Sequence, residues 1–154
     1  MASTTIELPG GVFSGTFEAN IVEGPPAPVA PTRVIRNDQS WKIACSWTLD
    51  GLLAPALDGT WSLQAVVEGL GVAVELTRAP EEVPLSAAPP FPLPRQYQHD
   101  IVFNAGAVNL GGQPSVLARV GVALTYRFPV GAGGQPGPIA TFLELGPVQI
   151  YDAS

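Results

Sequence analysis

The stretch from Trp41 to Leu49 reads W-K-I-A-C-S-W-T-L. Trp41, Ile43, Cys45, Trp47 and Leu49 fall on one side of an extended chain, and Lys42, Ala44, Ser46 and Thr48 on the other. Strict alternation over nine residues is the mark of a β-strand with one buried face, because successive side chains of a strand point to opposite sides of its sheet. Two tryptophans on the same face bury a large area, so this strand is expected to anchor a hydrophobic core. A chain built around it must supply a second apolar layer of sheet to cover that face.

The rest of the sequence supplies candidates. Thr4–Leu8, Val12–Glu23 and Thr32–Arg36 read as strands ahead of it. Trp61–Glu68 alternates with Trp61, Leu63, Ala65 and Val67 on one side, and Val72–Arg78 with Val72, Val74 and Leu76. Tyr97–Asn104 carries Tyr97, His99, Ile101 and Phe103 on one parity. Ser115–Phe128 is expected to be the longest strand, and Ile139–Leu145 and Val148–Tyr151 flank a kink or bulge at Gly146-Pro147. No window places apolar residues at helical spacing.

Two Pro-rich segments interrupt the strands, Gly24–Pro31 and 79–95. Proline lacks an N–H, so neither can continue a helix or a central strand. They are expected to be stiff connectors crossing between sheets. Short strands separated by Gly/Pro turns predict an all-β protein: a single antiparallel β-sandwich over residues 1–154 with seven to nine strands. An immunoglobulin-like or a jelly-roll-like topology fits equally. Trp47 resembles the buried tryptophan of immunoglobulin-type sandwiches, but their cysteine pair is missing, so the likeness is one of architecture and implies no function.

Composition narrows the function. Seven Lys+Arg against thirteen Asp+Glu give a net charge of −6. That disfavours nucleic acid and anionic lipid, both of which call for a basic footprint. Charged residues are 13% of the chain, about half the usual share. A surface so poor in charge is expected to be covered in part by other subunits. The N-terminal residues carry no basic stretch followed by an apolar run, and no stretch approaches 18 apolar residues, so a cytoplasmic protein, or a component of a particle, is expected. Cys45 is the single cysteine and has no partner for an internal disulfide.

Chemistry-bearing residues are few. His99 is the sole histidine, so any hydrolytic triad would have to use it, and its neighbour Asp100 points to the opposite face. A histidine at the rim of the core is the plainer reading. Glu81-Glu82 offer two carboxylates, the residue type that serves as acid and base in glycoside hydrolysis, but adjacent loop glutamates are ordinarily solvated charge. Asp38, Asp50, Asp58 and Asp152 sit at turns, where aspartate closes the backbone locally. Grouped at one end they would offer oxygen ligands to Ca²⁺, yet no D-x-D-x-D loop exists. Gly131–Gly137 is Gly-rich but is followed by no Lys-Ser/Thr, so it is a hairpin tip or an assembly arm and not a phosphate cradle. The P-x-x-P spacings at Pro25–Pro28 and Pro89–Pro92 have only Arg95 nearby as a basic flank.

The expectation is therefore a non-enzyme without cofactor or metal, whose partners are copies of itself or other protein subunits. Leu52, Leu53, Leu57, Phe91 and Leu93, apolar residues in loops, are the expected contacts. The alternative is a binding module whose end loops recognise a protein or a glycan.

Overall fold

Alternating burial along Trp41–Leu49 is complete: all five odd positions are buried and all four even ones are half-buried. The computed structural model describes residues 2–6, 12–23, 33–129, 131 and 134–153, and of Pro138 the backbone alone. The first Pro-rich segment, the turn at Pro9-Gly10-Gly11 and part of the Gly-rich tip lie outside the described residues. The strands are β1 (Ala2–Ile6), β2 (Gly15–Glu23), β3 (Val34–Arg36), β4 (Trp41–Leu49), β5 (Thr60–Gly69), β6 (Glu75–Thr77), β7 (Glu81–Pro84), β8 (Arg95–Phe103), β9 (Ser115–Arg127) and β10 (Pro136–Tyr151). Short 3-10 turns stand at Ala54–Ala56 and Leu85–Ala87. The protein is all-β.

Two sheets form. One has four strands in the order β1-β2-β4-β8, antiparallel throughout. The other has six, β3-β10-β9-β5-β6, with β7 also paired to β5. The second sheet is mixed, not purely antiparallel, because β3 runs parallel to the end of β10 with Ile35 opposite Ile150. Both isoleucines are buried, so this short edge piece closes the core beside the last strand.

Among the described residues ten strands stand where seven to nine were expected. The surplus comes from short edge pieces. The Pro-rich segment 79–95 is not a bare connector: Glu81–Pro84 pairs with Thr60–Leu63 and buries Val83. Pro84 is tolerated at the strand's end, on an edge where no further N–H is demanded. Val72–Arg78 shrinks to three residues, since Gly69 and Val74 close a turn (N···O 2.6 Å) and leave Val72 exposed.

The inner faces share one hydrophobic cluster. Trp47 stacks on Tyr97 at 5.5 Å and meets Phe17 edge-on at 6.3 Å within its own sheet. It meets Trp61 of the facing sheet edge-on at 6.1 Å. Trp41 stacks on Phe103 at 3.9 Å. Strand β10, at 16 residues, is longer than β9 at 13 because a bulge joins what reads as two pieces. Glu144 pairs with Gly121 and Pro147 with Arg119, so one extra residue is inserted, and Gly146 takes φ +80°. The insertion switches the inward parity from Leu143 and Leu145 to Val148 and Ile150, keeping both halves buried.

Candidate functional site

The ladder pairs Leu49 with Arg95 and Thr60 with both Arg127 and Pro84. Loops 50–59 and 85–94 and the root of the Gly-rich tip therefore gather at one end of the molecule. Arg95 opens β8 at an inward-facing position and is 4% exposed. No carboxylate neutralises it among the described residues. Its Nη1 donates to the carbonyls of Ala54 (3.1 Å) and Leu57 (2.9 Å), and its Nη2 to those of Leu85 (2.7 Å) and Ala88 (3.0 Å). These carbonyls belong to the two 3-10 turns and the residues just after them, where a helical turn runs out of its own N–H donors. A guanidinium carries a fixed fork of donors, so one side chain ties both turns together. Tyr97 adds a bond from its hydroxyl to Leu85 O (2.9 Å), and the Tyr126 hydroxyl donates to Asp58 O.

This frame sorts the five expected contacts. Leu57 and Leu93 turn inward and pack on the core. Leu52, Leu53 and Phe91 do not: they are 88%, 50% and 66% exposed. Phe128, 39% exposed beside Tyr126, joins them at the root of the hairpin tip. The stretches 83–94 and 128–143 contain no charged residue. The end is thus apolar and free of charge along 83–94 and 128–143, carries Asp50, Asp58 and Arg127 on the adjoining loop and strand, and is held by buried and half-buried hydrogen bonds.

The remaining candidates lie elsewhere. His99 faces inward from β8 and its Nε2 lies 2.5 Å from Glu81 Oε2 on β7. Glu81 Oε1 receives Arg78 Nη2 at 3.3 Å, while Arg78 Nη1 donates to Val102 O at 2.9 Å and its guanidinium lies over Phe103 at 5.0 Å. The group clips the edge of one sheet to the edge of the other. Glu82 points to solvent, so the two glutamates do not act as a pair. Cys45 lies opposite His99 in the β4–β8 ladder, but burial, aided by Asp100 and Glu81, pushes its thiol up to about 12. That thiol holds its proton and is no nucleophile.

Asp50 and Asp58 each accept the N–H of the following glycine at 2.8 Å. At the opposite end Asp38 pairs with Arg36 at 2.6 Å, which holds its carboxyl below the usual range, and Asp152 accepts from Asn37 at 3.1 Å. The four aspartates are thus divided between the two ends. Asp38 and Asp152, with Asn37, Asn109 and Gln113, line an open depression of about 600 Å³. Asp100 pairs with Lys42 at 2.6 Å on the outer face. Among the described residues no helix is long and apolar enough to cross a membrane.

Arg95 was the residue to find. The sequence pattern carries the signal, since extending the parity of Tyr97 and His99 back by two puts an arginine at a core position. A buried arginine must be given partners. No protein-family model, curated protein or solved structure matches this chain.

Proposed function

We propose that this protein is a non-enzymatic structural subunit, a β-sandwich that assembles with copies of itself into a larger particle. The observation that carries the reading is the apolar end surface presented by Leu52, Leu53 and Phe91 on loops fixed by Arg95. Copies that each carry −6 repel one another, and approach through the uncharged stretches 83–94 and 128–143 meets that repulsion least. Loops already tied down lose little freedom on docking. Burying an exposed Leu or Phe side chain gains roughly 1.5–3 kcal/mol. Three of them gain about 5–9 kcal/mol against an association cost on the order of 4–15 kcal/mol. One such contact gives a weak pair, and a stable assembly calls for more than one per subunit.

Light scattering behind size exclusion at two concentrations, with electron microscopy of the leading peak, tests the reading. A discrete oligomer or particle is expected, and the double substitution Leu52→Asp/Phe91→Asp should return it toward the 16.0 kDa monomer. A monomer at both concentrations refutes self-assembly. The second reading is a binding module, favoured by the polar depression around Asn37 and Asp152 at the opposite end. It requires that monomer, together with an end-loop partner of different sequence.

A further inference from the structure

Strand β8 is the outer strand of the four-stranded sheet. Its backbone orientation follows from two independent observations. Ser14 and Asp50 exchange both of their backbone hydrogen bonds, at 3.0 and 2.8 Å. In an antiparallel ladder bonded and non-bonded pairs alternate. Carried through the β2–β4–β8 register, this turns Arg95, Tyr97, His99, Ile101 and Phe103 toward β4, and Gln96, Gln98, Asp100 and Val102 away from it. Arg78 takes the Val102 carbonyl from that outer side, as the register requires. The N–H and C=O of Gln96, Gln98 and Asp100 and the N–H of Val102 thus form a row with no protein partner among the described residues.

Proteins blunt sheet edges with short strands, proline, lysine or bulges. Four other outer pieces are shorter: β3 and β6 have three residues each, β7 has four and β1 has five. Strand β8 has nine, pairs with β4 without a register shift, and contains no Pro, Gly or Lys.

We infer that the free edge of β8 is a second docking surface and that it takes the same edge of a second copy, antiparallel, about a two-fold axis at Gln98. The inference rests on the self-assembly reading and adds to it where the copies join. An axis at Gln98 sets Gln98 against its own counterpart and Gln96 against Asp100, so no like charges are opposed. An axis at Tyr97 would oppose Asp100 to Pro94, which has no N–H. An axis at His99 would need the Val102 carbonyl that Arg78 holds, and one at Asp100 would oppose two carboxylates. The occupant matches the edge because it is the same edge: amide and carboxylate acceptors meet amide donors along the whole contact. A single self-complementary contact closes a dimer. With the apolar end as a second, different one, each subunit has two neighbours and the assembly extends into a chain or closes into a ring.

The test is a cross-link that only this register permits. Directly bonded residues of an antiparallel pair have Cα atoms about 5.5 Å apart, within disulfide reach. Under mild oxidation the full chain carrying Gln98→Cys should give a disulfide-linked species of twice 16.0 kDa on a non-reducing gel, and Gln96→Cys should not. The native Cys45 is buried and stays out of the reaction. Gln98→Pro should leave the circular dichroism spectrum unchanged, because the N–H it removes has no partner within the subunit, and should lower the mass by light scattering. A wild-type assembly that Gln98→Pro leaves intact, with no cross-link at Gln98, overturns the edge contact alone. A wild-type monomer without a cross-link overturns the edge and the self-assembly reading together. A cross-linked dimer that survives Leu52→Asp/Phe91→Asp supports the edge and removes the apolar end as the main contact.

Discussion

Replacing Arg95 by Met keeps most of the side chain's length and removes every donor. The four carbonyls do not lose equally. Ala54 O still receives the Leu57 N–H (3.4 Å), and Leu85 O still receives the Ala88 N–H (3.3 Å) and the Tyr97 hydroxyl (2.9 Å). Leu57 O and Ala88 O have no second donor among the described residues. Leaving a buried acceptor unsatisfied costs about 1–3 kcal/mol, which Ala88 O bears in full, while the half-buried Leu57 O recovers part of it from water. Against this, the wild type carries a buried guanidinium with its Nε unpaired, and removing it relieves part of that cost. The expected net loss is about 1–3 kcal/mol. Urea unfolding followed by tryptophan fluorescence measures it. Limited proteolysis should show loops 50–59 and 85–94 cut first, ahead of the strands. Arg95→Lys should recover only part of the loss, because one ammonium cannot span carbonyls on two separate turns. An Arg95→Met protein within about 1 kcal/mol of wild type, with its loops still resistant to protease, would refute the clamp.

Trp47→Ala should cost about 3–5 kcal/mol, since the ring is fully enclosed by Phe17, Trp61 and Tyr97; a urea midpoint close to wild type would contradict that packing. Cys45 has its thiol raised from an ordinary value near 9 to about 12, so between those pH values the unfolded chain releases a proton that the folded chain keeps. Stability is then full below pH 9 and falls as pH rises toward 12, by at most about 1.4 kcal/mol per pH unit; Tyr97 and Tyr126, also raised by burial, act in the same sense. Urea titrations at about pH 8 and about pH 10.5 should show the loss, a Cys45→Ala protein should show less of it, and a thiol reagent should label wild type only after unfolding. Glu81→Gln unpairs His99 and Arg78 at a half-exposed site, so it should cost on the order of 1 kcal/mol; a loss above about 3 kcal/mol would mean the clip is far better shielded than its exposure indicates.

Burial alternation was legible wherever a strand lies centrally and one face is covered. Trp41–Leu49 and Trp61–Val67 follow the pattern closely, because the two-residue period of the backbone and a one-sided core leave no other solution. Edges were legible only in part. Thr32–Arg36 reads as a short strand and Val34–Arg36 forms one, whereas Glu81–Pro84, inside a Pro-rich segment, is a strand only because Thr60–Leu63 stands beside it, and four residues carry no periodicity of their own. The parallel pairing of β3 with β10 joins Ile35 to Ile150, far apart in the chain, and nothing local encodes it. The contact residues split for the same reason. Leu52 and Leu57 are alike in type and loop, yet one is exposed and the other packs on the core, and the carbonyl that anchors the turn between them is held by Arg95 from another strand.

The sparseness of charge has a physical counterpart in how the few charges are placed. Arg36, Lys42, Arg78 and Arg119 are paired with Asp38, Asp100, Glu81 and Glu144, and Arg95 is sunk among carbonyls. Of the seven cationic side chains that leaves Arg33 and Arg127, and the net −6 discourages close approach of copies in most orientations. Two surfaces meet that repulsion least: the end loops along 83–94 and 128–143, which carry no charge although Asp50 and Asp58 lie on the neighbouring loop, and the middle of β8, where Gln96 and Gln98 present amides and Asp100 is balanced by Lys42. In the proposed assembly one surface would act by excluding water from Leu and Phe side chains, the other by completing backbone hydrogen bonds. Neither needs a residue constellation that a motif could capture. The assembly proposed above is compatible with an ordinary β-strand sequence, because it would depend on which edge and which loop end are left uncovered and not on a residue motif.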